Sequence, residues 1–154
     1  MKLMEVKTGK GYASLKLNDA SGNNIKEILK DLGIKDIISD LHITVMYDES
    51  NPLISMDTNP DKEYSAKIDG VKMLGEPGTK WYAIALMLDS PSINKLHDEY
   101  IEKGFKHSYP KFLAHMSLKY DPSDDDIKII KDNLEKIRGI DLIFSGESLK
   151  RITK

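Results

Sequence analysis

Two short segments of the 154-residue chain repeat one pattern. LHITVMYD occupies residues 41–48 and AHMSLKYD occupies residues 114–121, each with histidine second and a hydroxyl residue fourth. Alternating apolar residues predict a β-strand for both, because successive side chains on a strand point to opposite faces. A strand whose only task is packing does not need histidine at this place, so the doubled pattern indicates a duplicated functional site.

The alternation divides each strand into two faces. The expected buried face consists of Leu41, Ile43, Val45 and Tyr47 in the first strand and Ala114, Met116, Leu118 and Tyr120 in the second. The expected opposite face consists of His42, Thr44 and Met46 in the first strand and His115, Ser117 and Lys119 in the second. Each strand therefore presents one imidazole and one hydroxyl group on the same surface.

The repetition extends beyond these segments. A shift of 70 residues aligns KGYASLKLND at 10–19 with KWYAIALMLD at 80–89, Tyr12 falling on Tyr82, and a shift of 73 aligns the histidine segments. These matches occur in the same order and indicate a duplicated unit of about 70 residues. A chain of this length is expected to form one domain. We therefore expect a single domain over 1–154 with two lobes, about 10–75 and 80–152.

Each half is predicted to contain a strand, a helix, the histidine strand and a final strand. Besides the histidine segments, the predicted strands are 10–18, 63–74, 80–88 and 140–152. The first helices end at Gly33 and Gly104, and a further helix over 124–136 is matched in the first half by a polar loop near 48–63. This order predicts an α+β fold in which two antiparallel sheet lobes, related by a pseudo-twofold axis, face a central cleft with helices outside.

Composition excludes several classes of protein. The net charge of −2 provides no basic field for long nucleic acid, although a local site for a small anion is compatible with it. The absence of cysteine excludes disulfides and thiolate chemistry. The N-terminal MKLMEVKTGK lacks the apolar core of a signal peptide, and no apolar run has transmembrane length. We expect a cytoplasmic protein without membrane contact or an obligate protein partner.

Two imidazoles and two hydroxyls around one cleft suit a phosphodiester. A neutral histidine takes a proton from the nucleophile while a protonated one gives a proton to the leaving oxygen. The hydroxyls donate hydrogen bonds to non-bridging oxygens, so that neither metal nor cofactor is required. Two other interpretations stay open: a zinc site, although no third ligand lies near the pair, and two structural histidines. His97 and His107 are expected to be exposed and structural, and Trp81 to face the core.

The HITV segment at 42–45 and the HMSL segment at 115–118 resemble the signature of the two-histidine (2H) phosphoesterases, a bilobal, pseudo-symmetric family. The flanking LHITVMYDESNP, KFLAHMSLKYD and SGESLKRI are most similar to the phage anti-CBASS phosphodiesterases. Those enzymes degrade cyclic di- and trinucleotide signals of bacterial immunity. The resemblance therefore implies a cyclic oligonucleotide substrate such as cGAMP and the cytoplasm of a host bacterium as the place of action.

The resemblance also implies roles for individual residues. His42 and His115 would form the acid–base pair, and Thr44 and Ser117 would hold the phosphate. The implied base contacts are stacking by Tyr12 and hydrogen bonding by Glu147, and Lys119 is a further substrate-binding candidate from its position. Alternative functions are a 2′,3′-cyclic phosphodiesterase acting on RNA ends and a non-catalytic sponge for cyclic nucleotides.

Overall fold

The computed structural model describes residues 9–48, 57–106 and 112–153. Within these ranges it contains six strands and four helices. In chain order they are β1 (Gly9–Leu17), α1 (Asp19–Asp31), β2 (His42–Asp48), β3 (Tyr64–Leu74), β4 (Ala83–Asp89), α2 (Pro91–Glu102), β5 (His115–Tyr120), α3 (Asp124–Asp132), α4 (Leu134–Ile137) and β6 (Asp141–Thr153). His107 and residues 49–56 of the predicted polar loop lie outside the described residues.

The strands form one antiparallel sheet that closes on itself in the order β1-β2-β5-β4-β3-β6. This confirms the predicted α+β class with an antiparallel sheet and helices. The final strand of each sequence half pairs with the first strand of the other half, since β6 lies beside β1 and β3 lies beside β4. The strands of the two halves are therefore interleaved around the sheet.

The two histidine strands are neighbours. They meet through Ile43 of β2 opposite Met116 of β5, two residues that are 73 positions apart, the same spacing as between the histidines. Exchanging each strand of the first half with its counterpart in the second leaves the cyclic strand order unchanged. Ile43 and Met116 are both fully buried, so the face that carries the histidines points away from the core.

A β-bulge interrupts both histidine strands. On β2, Thr44 pairs with Ser14 and Met46 with Ala13, which leaves Val45 without a partner on β1. On β5 the corresponding unpaired residue is Leu118. An extra residue in one strand shifts the side chains that follow to the other face. The simple alternation predicted from sequence therefore holds only as far as Val45 and Leu118, which are buried as predicted.

Beyond the bulges the predicted faces are wrong. Met46 is fully buried instead of lying beside Thr44, and Tyr47 is half-buried. Tyr120 is 46% exposed, although it was predicted to be buried. The bulge on β4 and β5 lies between Ile84 and Ala85, and the one on β1 and β2 between Ala13 and Ser14. By this measure Ala13 on β1 corresponds to Ile84 on β4, a spacing of 71 residues, whereas the sequence alignment of the two halves used a shift of 70.

Local sequence explains the start of one helix, and a further predicted helix is divided in the structure. Helix α2 begins as predicted, with Ser90 accepting a hydrogen bond from the Ile93 amide and Pro91 in the first turn. The helix predicted over 124–136 is divided at Asn133 into α3 and α4. Apolar side chains from these helices and from the inner face of the sheet form a common core.

Candidate active site

The pairing of Ile43 with Met116 places four polar residues on one patch of the sheet. Continuing this antiparallel register puts His42 across from Ser117 and Thr44 across from His115. All four side chains are half-buried. Residues directly opposite on neighbouring strands have Cβ atoms about 5 Å apart, and diagonal pairs such as the two histidines are about 7–8 Å apart. The imidazole of each half therefore lies beside the hydroxyl of the other.

Both imidazoles are held in the same way. His42 Nδ1 lies 2.9 Å from the Asp40 carbonyl oxygen, and His115 Nδ1 lies 2.7 Å from the Leu113 carbonyl oxygen. A carbonyl oxygen only accepts hydrogen bonds, so each Nδ1 carries the proton and donates. The Nε2 atom of each ring is then an acceptor in the neutral form and a donor in the protonated form. This tautomer suits general acid–base chemistry at Nε2.

The flanking strands make the two sides of the patch chemically different. Across from β2, Ser14 pairs with Thr44 and Lys16 pairs with His42. Across from β5, the corresponding partners are Ala85 for Ser117 and Met87 for His115. One side of the patch is therefore polar and carries a cation, and the other is apolar. Sequence reasoning did not select Lys16 as a site residue because its closeness to His42 depends on strand pairing.

Tyr12, to which the resemblance assigns base stacking, contacts the patch. Its phenolic oxygen accepts a hydrogen bond of 3.4 Å from Thr44 Oγ1. The ring is half-buried. Tyr12 lies on β1 opposite Tyr47, and the Ala13–Met46 pair separates it from the bulge. If Thr44 holds a phosphate, as the resemblance implies, an aromatic ring in contact with its hydroxyl is in a suitable place to stack on a base of the same nucleotide.

Lys119 has a different place from the one predicted. It follows the bulge on β5 and pairs with the buried Ile84. Its Nζ donates a 2.7 Å hydrogen bond to Asp126 Oδ2 at the start of α3, and both side chains are largely buried. Burial raises the pKa of the Asp126 carboxyl, but hydrogen bonds from Lys119 and Ser123 and the lysine charge outweigh burial and leave that pKa lowered. Lys119 therefore anchors α3 to the sheet.

Glu147 also differs from the expected base contact. Its carboxylate is 5% exposed. One oxygen accepts a 2.9 Å hydrogen bond from the backbone amide of Asn59, and the other accepts a 2.5 Å hydrogen bond from the Tyr100 hydroxyl. Burial, and next the adjacent carboxylate, raise the pKa of Tyr100, which keeps the phenol a donor. Both oxygens of Glu147 thus have protein partners, and the residue links β6 to α2.

Two further expectations are corrected by the structure. His97 is 8% exposed and buried in α2, where its Nδ1 lies 2.7 Å from the Val45 carbonyl oxygen. Trp81 is 65% exposed instead of facing the core, and its ring lies edge-on to that of Tyr120 with centroids 6.3 Å apart. Ala83 and Ala85, whose face Trp81 was expected to share, lie opposite Tyr120 and Ser117, so this face carries the polar patch and does not point to the core.

No three His, Asp or Glu side chains in the described part of the chain come together as metal ligands. In the same residues, no helix is both long and apolar enough to cross a membrane. A polar depression beside His42 is lined by residues that include Lys16, Asn18, Lys26 and Asp40.

Comparisons with known proteins agree with this arrangement. The family model described as anti-CBASS protein Acb1 matches residues 10–150. The chain therefore belongs to the Acb1 anti-CBASS family, which confirms the resemblance drawn from the histidine segments. It is also similar to an anti-CBASS protein Acb1 of Sphingomonas paeninsulae, with 27% identity over 122 residues. That match covers 75% of this chain and 18% of the relative, so the chain spans less than a fifth of the relative's length.

Proposed function

We propose that this protein is a metal-independent phosphodiesterase that cleaves 3′–5′ bonds in cyclic di- and trinucleotide signals and thereby counters CBASS immunity in the bacterial cytoplasm. The observation that carries the proposal is the matched pair of Nδ1–carbonyl hydrogen bonds of His42 and His115. They prepare two Nε2 atoms for proton transfer beside two hydroxyls. Membership of the anti-CBASS family supports a cyclic oligonucleotide as the substrate.

The proposal includes the pseudo-symmetric two-histidine fold for the whole chain. Ile43 and Met116, which face each other across β2 and β5, are equivalent residues of the two halves. A twofold axis through such a pair relates His42 to His115 and Thr44 to Ser117. The unchanged strand order on exchange of the halves supports the same axis. A single domain formed by two interleaved halves follows.

In the proposed reaction, the 2′-hydroxyl of the ribose attacks the phosphorus of the adjacent 3′–5′ linkage. The neutral Nε2 of one histidine removes the hydroxyl proton while the new oxygen–phosphorus bond forms. The bond from phosphorus to the 5′-oxygen breaks, and the protonated Nε2 of the other histidine gives its proton to that oxygen. The products are a 2′,3′-cyclic phosphate and a 5′-hydroxyl on one linear chain.

Thr44 and Ser117 stabilise the charge that develops on the non-bridging oxygens. A hydroxyl that donates to an oxygen gaining negative charge binds the transition state more strongly than the ground state. Tyr12 is the proposed base-stacking residue, since it contacts Thr44 directly. Glu147 and Lys119 were expected among the substrate contacts. In the proposal they support the fold instead: Glu147 links β6 to α2, and Lys119 anchors α3 to the sheet.

A panel of cyclic oligonucleotides, analysed by chromatography and mass spectrometry after incubation with the protein, tests the proposal. The expected first product is a linear oligonucleotide with a 2′,3′-cyclic phosphate. A 2′-deoxy cyclic dinucleotide should bind and remain intact, because it lacks the nucleophile. Consumption of excess substrate distinguishes an enzyme from a sponge, and hydrolysis restricted to 2′,3′-cyclic ends of linear RNA would support an RNA-end enzyme instead. Rapid cleavage of the deoxy substrate would contradict the 2′-hydroxyl mechanism.

A further inference from the structure

The buried His97 lies next to the candidate active site without belonging to it. It is carried by α2, on the core side of the sheet, and its Nδ1 is 2.7 Å from the carbonyl oxygen of Val45. Because the carbonyl only accepts, His97 Nδ1 donates this hydrogen bond. Val45 immediately follows Thr44 in the chain. The hydrogen bond therefore holds the Val45–Met46 peptide unit, one residue beyond Thr44, which is proposed to bind phosphate.

Val45 is also the extra residue of the bulge on β2. A bulge removes a residue from the ladder and changes the direction of the side chains beside it. The Val45 side chain is fully buried, and a backbone carbonyl that is buried inside the protein requires a hydrogen-bond donor. His97 is that donor. The direction in which Thr44 points thus depends on a hydrogen bond to a side chain of another element.

The ring of His97 is itself oriented by stacking. It lies parallel to the Phe112 ring, with centroids 4.1 Å apart and planes 7° from parallel. Phe112 precedes Leu113, whose carbonyl accepts the hydrogen bond from His115. His97 therefore contacts both the bulge beside Thr44 and the segment that leads into the second histidine strand.

The carbonyl at the bulge in the other half of the protein has a different kind of hydrogen-bond donor. The bulge on β5 has Leu118 as its extra residue, and the Leu118 carbonyl accepts a 2.8 Å hydrogen bond from the backbone amide of Ile38. Ser117, next to this bulge, is thus supported by a main-chain donor that no side-chain substitution other than proline removes. Thr44 is supported by a side chain. This asymmetry allows the two hydroxyl residues to be separated by experiment.

We propose that His97 is a positioning residue that sets the direction of Thr44 through the carbonyl of Val45. The effect on turnover rests on the proposed function, whereas the effect on the Thr44 side chain does not. His97→Phe keeps an aromatic ring against Phe112 and removes the donor. His97→Asn keeps a donor atom at about the place of Nδ1.

Kinetics with a cyclic dinucleotide provide the first test. His97→Phe is expected to lower kcat roughly tenfold to a hundredfold with little change in KM, because small misplacements of a catalytic group are costly to the transition state. His97→Asn should recover most of the loss. Added to Thr44→Val, His97→Phe should cost nothing further, whereas its effect should multiply with that of Ser117→Ala. Full turnover in His97→Phe, or equal effects on both hydroxyl variants, would overturn the proposal.

NMR of the substrate-free protein provides a test that does not need activity. The methyl resonance of Thr44 should move in His97→Phe and return in His97→Asn. In the wild-type protein, ¹⁵N spectra of the His97 ring should show the proton on Nδ1, which keeps the proposal testable if His97→Phe does not fold. A proton on Nε2 alone, or an unmoved Thr44 methyl in folded His97→Phe, would refute it. If the wild type cleaves no cyclic oligonucleotide while these shifts are seen, the proposed function fails and the positioning role stands.

Discussion

Replacing Tyr100 by phenylalanine tests whether Glu147 is a structural residue. The substitution removes the hydroxyl that donates to one oxygen of Glu147 and leaves the ring in the core, where Tyr100 is fully buried. The carboxylate keeps the backbone amide of Asn59 as its other partner. Losing a hydrogen bond to a charged group costs about 1.5–3 kcal/mol. For a chain of this length, that corresponds to a fall in Tm of about 3–12 °C.

Thermal and urea denaturation of the wild type and Tyr100→Phe measure this loss. Tyr120→Phe is the matched control, since Tyr120 is 46% exposed and should change stability by less than about 0.5 kcal/mol. In the cleavage assay, the KM of Tyr100→Phe for guanine- and adenine-containing substrates should stay equal to that of the wild type at a temperature where both are folded. An unchanged Tm together with a raised KM for guanine-containing substrates would refute the structural role and return Glu147 to base recognition.

Three other outcomes are expected. Activity should survive EDTA without added metal, because imidazoles and hydroxyls supply the proposed chemistry, and loss with EDTA that zinc restores would favour the metal interpretation. Asp126→Asn should lower the free energy of unfolding by about 1–2 kcal/mol at pH 7 in urea titrations. Burial raises the pKa of Asp126, but Lys119 and Ser123 lower it by more. The contribution of Asp126 to stability is therefore present above the pKa of an unfolded aspartate, about 3.9, and disappears as the pH falls through the lower folded value. A difference in unfolding free energy between wild type and variant that does not depend on pH would contradict the assignment. Gly75→Ala should destabilise the loop that carries Trp81, because Gly75 has φ +70° and an added Cβ would lie 2.8 Å from the Trp81 carbonyl oxygen. Equal Tm values for the wild type and Gly75→Ala would contradict this.

Regular alternation in the sequence was sufficient to predict that a histidine and a hydroxyl residue share one face on each of two strands. His42 and Thr44 precede the bulge on β2, and His115 and Ser117 precede the one on β5, so their shared face follows from a period of two. Lys119 follows a bulge, and its predicted face is therefore wrong. A bulge adds one residue to a strand, and a pattern with a period of two does not report where it occurs.

Long-range partners were equally hidden. Glu147 was assigned to a base because the resemblance to the anti-CBASS phosphodiesterases implied that role. Its hydrogen bonds come from Asn59 and Tyr100, which are 88 and 47 residues away in the chain. The interleaving of β3 and β6 between the halves was not visible either, since each half taken alone can be drawn as a complete unit. Strand pairing over such separations is decided by packing of the whole domain.

Turnover of a cyclic dinucleotide by His42→Ala, His115→Ala and the double variant, measured in EDTA, tests the central claim most directly. Each single substitution should lower kcat by about a hundredfold or more, the usual range for a general acid or base, with much smaller effects on binding. Because the two imidazoles act in one step, the double variant should be little worse than either single variant. Turnover at the wild-type rate in both single variants would contradict the account.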